Sequence, residues 1–141
     1  MEDNMVKEIM KDVIFLKQPS EAADKNDLDS AKDLLDTLKA NASGCVGMAA
    51  NMIGVRKRIL AANLSGRYVV MLNPVITGHS KKTYTAEEGC LSLTGTRQTE
   101  RFESITVEYT DEHMKKRIKS FSGFDAQIIQ HEIDHFDGKI I

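Results

Sequence analysis

His131 and His135 stand four residues apart in the run His131-Glu132-Ile133-Asp134-His135. If that run is helical, the two imidazoles lie one turn apart on one face and can reach a single cation. Glu132 is then rotated by one residue and can take a proton from water polarised by the cation. This is the chemistry of metal-assisted hydrolysis, with the cation as Lewis acid and the carboxylate as acid/base. The bland alternative is a solvated helix that carries two surface histidines. Position argues against it, because Phe124, Ile128, His131 and His135 recur at i, i+4, i+7 and i+11 along one stripe and should point inward. Two inward imidazoles in apolar surroundings each need a hydrogen-bonding partner, and one cation satisfies both. The pentad alone also suits a small endopeptidase, and a third ligand has to come from elsewhere in the chain.

The pentad needs a helix, and the pattern predicts one over 124–137, after a break at Gly123. Upstream, Leu28, Ala31, Leu34, Leu35 and Leu38 recur at helical spacing, with Asp27 as the expected N-cap and the Asn-Ala-Ser-Gly stretch at 41–44 as the stop. From Val46 to Tyr109 the texture changes to short apolar or alternating runs broken by Gly, Asn and Pro. These predict strands near 46–52, 57–63, 67–73, 81–86 and 102–110, with another near 114–121. Pro74 should end the strand before it, because it lacks a ladder donor. The expected fold is α+β, with mostly antiparallel sheets packed around the C-terminal helix, an N-terminal helix, and one domain over residues 1–141.

Composition narrows the function classes. Lys+Arg 19 against Asp+Glu 21 gives a formal net charge of −2, which is no field for a phosphate backbone, so nucleic acid is not an expected direct partner. The first residues mix acidic and basic side chains and cannot form a signal-peptide core, and no apolar run approaches the ~18 residues that span a bilayer. A cytoplasmic protein without membrane contact is expected. In that compartment a structural disulfide between Cys45 and Cys90 is not expected.

Glu87-Glu88-Gly89-Cys90-Leu91-Ser92, about forty residues before Gln130-His131-Glu132-Ile133-Asp134-His135, resembles the peptide deformylase family. A third segment, Cys45-Val46-Gly47-Met48-Ala49-Ala50-Asn51-Met52, is similar to the family's Gly-x-Gly-Leu-Ala-Ala-x-Gln, and with Gly54 and Arg97 the resemblance covers about residues 28–141. It implies that Cys90, His131 and His135 hold one divalent cation, ferrous iron first, with zinc, nickel or cobalt as alternatives. It further implies an amide hydrolase that removes the formyl group from N-formylmethionyl ends of new peptides and releases formate. Glu132 would be the acid/base, and the Leu91 backbone N–H would help hold the oxyanion.

The substrate backbone would add as a strand beside Val46 and Gly47. Val46, Phe124 and Ile128 are candidates for the methionine pocket, and Arg97 either orients substrate or caps a turn. The ribosome is a further candidate partner. Three residues depart from the family pattern: Cys45 replaces a glycine, Thr94 a proline, and Met52 the glutamine whose amide faces the oxyanion. If the strand register follows the motif, the Met52 side chain enters the oxyanion region. The loss of that donor raises the alternative of a paralogue with weak or no activity that binds metal and peptide termini.

Overall fold

The computed structural model describes residues 5–92 and 95–139, so Thr94 lies outside the described residues. In chain order the elements are α1 (Val13–Leu16), a 3₁₀ turn (Lys25–Asp27), α2 (Leu28–Ala40), β1 (Gly47–Ala49), a second 3₁₀ turn (Ala50–Ile53), β2 (Ile59–Leu64), β3 (Arg67–His79), β4 (Thr83–Glu88), β5 (Arg97–Phe102), β6 (Ser104–Thr110), β7 (Lys116–Ser122) and α3 (Gly123–Phe136). Five strands form an antiparallel sheet in the order β1-β2-β3-β6-β7, and β4 and β5 form a separate antiparallel pair. The α+β fold expected from the sequence is the fold found.

The run Ile59-Leu60-Ala61-Ala62 is apolar without alternation because β2 is covered on both faces. Ile59 and Ala61 turn to a core beneath α2, with Leu34, Leu38, Met48 and Leu72. Leu60 and Ala62 turn the opposite way, to a core beneath α3 with Val107, Ile128, Ile129 and Phe136. The sheet is thereby held between two helices, and α3 is presented along β1 and β2. At its far end Gly138 has φ +79°, and a Cβ there would run into the Lys17 carbonyl, so the segment after α1 packs hard against the end of α3.

Several expectations need correction. The strand near 46–52 is only Gly47–Ala49, and Ala50–Ile53 winds into a 3₁₀ turn, since an apolar run buried on all sides carries no period to separate the two. Pro74 does not end its strand. Asn73 adopts φ 52° and the register shifts between Leu72 and Val75, so the proline occupies a bulge where no ladder donor is needed, and β3 runs on to His79. The strand near 102–110 is found as β6, but β5, which precedes it in the other sheet and is parted from it at Glu103, was not expected. Asp27 stands at the N-cap of α2, but its carboxylate accepts the Asp24 N–H at 2.9 Å instead of capping α2. No helix among the described residues is long and apolar enough to cross a membrane.

Candidate metal centre

The side chains of α3 fall on two flanks because successive residues are turned by about 100°. On the flank facing β4 and β5, Tyr84 donates to Gln127 at 3.0 Å. Gln130 accepts the Phe102 N–H and donates to the Phe102 carbonyl, both at 2.9 Å, much as a strand neighbour would. The buried Arg101 guanidinium links Glu88, at 2.6 Å and 3.0 Å, to Asp134 at 2.6 Å. Glu88 in turn holds His131 Nδ1 at 2.6 Å. Burial alone would raise the Glu88 carboxyl, but the bonds from His131 and Arg101 outweigh it and hold the group at about 2. A permanently anionic Glu88 keeps the proton on Nδ1, which leaves His131 Nε2 with its lone pair outward.

That nitrogen faces a second imidazole nitrogen. His131 Nε2 and His135 Nε2 are 3.1 Å apart. At that separation both nitrogens could bind one divalent cation. One ligand atom from each of His131, Glu132 and His135 lies within 4.8 Å of the others, and all three residues are buried. Burial, reinforced by His131, pushes His135 down to about 3, so it stays neutral and able to ligate. Glu132 Oε1 is buried without a protein hydrogen-bond partner among the described residues. The same burial raises the Glu132 carboxyl to about 7. Two converging imidazole nitrogens with an orphaned carboxylate oxygen beside them fit a divalent cation, and the Cys90 sulfur expected as the third ligand is not part of this convergent group.

On the opposite flank, Gly47 of β1 lies against α3. A Cβ at Gly47 would be 2.7 Å from Ile128 Cγ2 and 2.9 Å from Glu132 Oε2, so glycine is what lets the carboxylate occupy its place. Between this edge and β4 opens a cavity of about 430 Å³, of the size that takes a small ligand. Val46, Gly47, Cys90, Leu91, Phe124, Ile128, His131 and Glu132 line it.

Of the residues singled out in the sequence, these eight meet in one place, and His135 stands directly behind His131. Arg97 does not join them: it is exposed on β5, paired across the ladder with Glu88. Phe124 lines the mouth but is 59 % exposed rather than turned inward, and Val46 is 39 % exposed beside it. Met52 is fully buried in the core beneath α2 and does not line the cavity, against the expectation that it enters the oxyanion region. Asn51 is also fully buried and donates its amide to the His135 carbonyl at 3.1 Å, tying the 3₁₀ turn to the end of α3. No disulfide joins Cys45 and Cys90.

Sequence reasoning passed over Glu88, Arg101, Gln127, Gln130 and Asp134. Glu88, Gln130 and Asp134 belong to the quoted motifs and were readable there as supports. Arg101 offered no signal, being one of 19 Lys and Arg residues.

A family model described as Polypeptide deformylase matches residues 5–141. The peptide deformylase of Clostridium beijerinckii is 55 % identical over 137 residues, which is 97 % of this chain and 100 % of that protein. That of Chlorobium phaeobacteroides is 41 % identical over 132 residues, or 87 % of this chain and 68 % of the other. Among solved structures, a ligand-bound class I type b peptide deformylase from Acinetobacter baumannii superposes with a TM-score of 0.88 at 31 % identity, covering 96 % of this chain and 97 % of that one. The same enzyme with Met-Ala-Ser bound gives 0.86 at 29 %, covering 98 % and 97 %. Agreement of sequence over nearly the whole length with agreement of fold leaves one assignment: the chain belongs to the peptide deformylase family.

Proposed function

We propose that this single-domain chain removes the formyl group from N-formylmethionyl peptides, with Glu132 as acid/base and with Cys90, His131 and His135 holding one divalent cation. The observation that carries the reading is the pair of imidazole nitrogens 3.1 Å apart, with the orphaned Glu132 carboxylate within the same 4.8 Å group. A cation held there, ferrous iron first and zinc, nickel or cobalt otherwise, supplies a Lewis acid and brings water into its reactive range near neutral pH.

The protein's own groups do the rest. Glu132 takes the proton of the attacking water, holds it on a carboxyl that burial has already made basic, and delivers it to the departing amine. The Leu91 backbone N–H, at the cavity wall, is the donor proposed for the developing oxyanion. Ile128, Val46 and Phe124 offer an apolar wall for a methionine side chain, and Phe124 at the mouth closes its outer end. Arg97 remains available for substrate only outside the cavity, along β5. The products are formate and a free peptide N-terminus, so the place of action is the cytoplasm, next to newly made chains, with the ribosome as a proposed neighbour.

The test is formate release from a formyl-Met peptide by iron-loaded protein under anaerobic conditions. Turnover supports the enzyme. Full metal occupancy and peptide binding without formate would instead favour the non-catalytic paralogue, and cleavage of an internal peptide bond would favour the endopeptidase.

A further inference from the structure

Val46 and Asn63 face each other where β1 begins, and the Val46 carbonyl accepts the Asn63 N–H at 2.8 Å. Val46 therefore directs its backbone groups at β2. In an antiparallel ladder the next residue turns its own N–H and C=O the other way. For Gly47 that way is the free edge of the sheet, because β1 is the first strand and Gly47 lines the cavity. An extended peptide entering the cavity finds there a carbonyl acceptor of the kind strand addition uses.

That acceptor is already engaged. The Cys45 thiol donates to the Gly47 carbonyl at 3.0 Å, and Cys45 lines the same cavity. Burial pushes the Cys45 thiol up to about 11, so near neutral pH the sulfur keeps its proton and remains a donor. A thiol is a weak donor, easily exchanged for an amide.

We infer that Cys45 is a specificity-determining residue: its S–H stands in for a peptide N–H on the free edge of β1 and must be displaced when a substrate backbone pairs with Gly47. The inference rests on the reading that the cavity takes a peptide, and it assigns a role to the residue that replaces glycine in this chain. A site whose acceptor is pre-engaged binds more weakly by the fraction of time the acceptor is blocked. The thiol should therefore raise KM without touching the chemical step, and favour peptides whose amide N–H is well aligned over ligands that lack one.

The experiment compares wild type, Cys45→Ala and Cys45→Ser, all metal-loaded, on formyl-Met-Ala-Ser. It is paired with infrared spectra of the S–H stretch of wild type with and without saturating Met-Ala-Ser. Cys45→Ala should lower KM by about twofold to tenfold, the span of one ordinary hydrogen bond, and Cys45→Ser, a stronger donor of similar shape, should raise it. In both variants kcat should stay within about twofold, as a purely ground-state effect requires. The chain has two cysteines, so with Cys90 ligated as thiolate the remaining S–H band belongs to Cys45, and it should move to higher wavenumber when the peptide binds. Displacement of KM in the same direction by both variants, or in neither, overturns the inference, as does an S–H band that stays put at saturation. Absence of formate from the wild type would sink the deformylase reading, and the band shift would still decide the role of Cys45.

Discussion

The two flanks of α3 are built on opposite terms. Toward β4 and β5 the polar groups are bonded in a continuous series, with Gln127 to Tyr84, Gln130 to Phe102, His131 to Glu88 and Asp134 to Arg101. Toward β1 the contact is steric, with bare Gly47 against Ile128 and Glu132, and one Glu132 oxygen lacks a protein partner among the described residues. The difference separates holding from reacting. Paired groups have fixed orientations and fixed charge, as Glu88 does at about 2, whereas the Glu132 carboxyl, raised to about 7, is poised to exchange a proton near neutrality. Glu88 on β4 and Glu132 on α3 thus receive opposite electrostatic environments because they face different neighbours.

If the β1 flank is where reaction occurs, Glu132→Gln should have the largest effect. Turnover on a formyl-Met peptide should fall by about 10³, the scale of general acid–base catalysis, while metal content per chain is unchanged. Wild-type turnover at full occupancy would move the acid/base role to another residue. Gly47→Ala attacks the same flank sterically. The new methyl meets Ile128 and Glu132 inside 3 Å, and displacement of the carboxylate should cost about 10² in kcat. Denaturant unfolding should show a loss of about 1–3 kcal/mol from overpacking. An active, fully stable variant would mean that the two flanks do not differ in tolerance.

The hairpin flank is tested by Glu88→Gln, which removes the anion behind His131. Chelator competition should show metal affinity about 10–100-fold weaker, with turnover at saturating metal much less affected. Equal losses in both would erase the distinction between holding and reacting. The smallest effect is expected at Met52, remote from both flanks. Met52→Gln places an amide in an apolar core and should cost about 1–3 kcal/mol of stability with no gain in turnover. A rise in kcat would show that a side chain at this position does reach the cavity.

The helices were readable because amphipathic period and stop signals coincide: 28–40 and 124–137 were expected, and Leu28–Ala40 and Gly123–Phe136 are found. The His131/His135 pair was legible for the same reason, since helical spacing alone brings the rings together. The conformation of Ala50–Ile53 was not legible, because burial on all sides erases periodicity whether the backbone is extended or wound. Glu103 ends one strand and precedes another without a glycine or proline to announce it. The Glu88–Arg101–Asp134 bridge was hidden for a different reason. It joins residues 13 and 33 apart in sequence, and an arginine that will be buried looks no different in sequence from one left in water.

Among the described residues β4 and β5 pair with each other and with no strand of the larger sheet, and this hairpin is joined to α3 chiefly through side chains. If Cys90, two residues past the end of β4, ligates the proposed cation, that cation would also fasten this smaller unit to the larger one. Chelation should then release more than an ion. The amides of β4 and β5 should exchange with deuterium well before those of β2, which is locked between two helices, and the order of that exchange would trace where local opening begins.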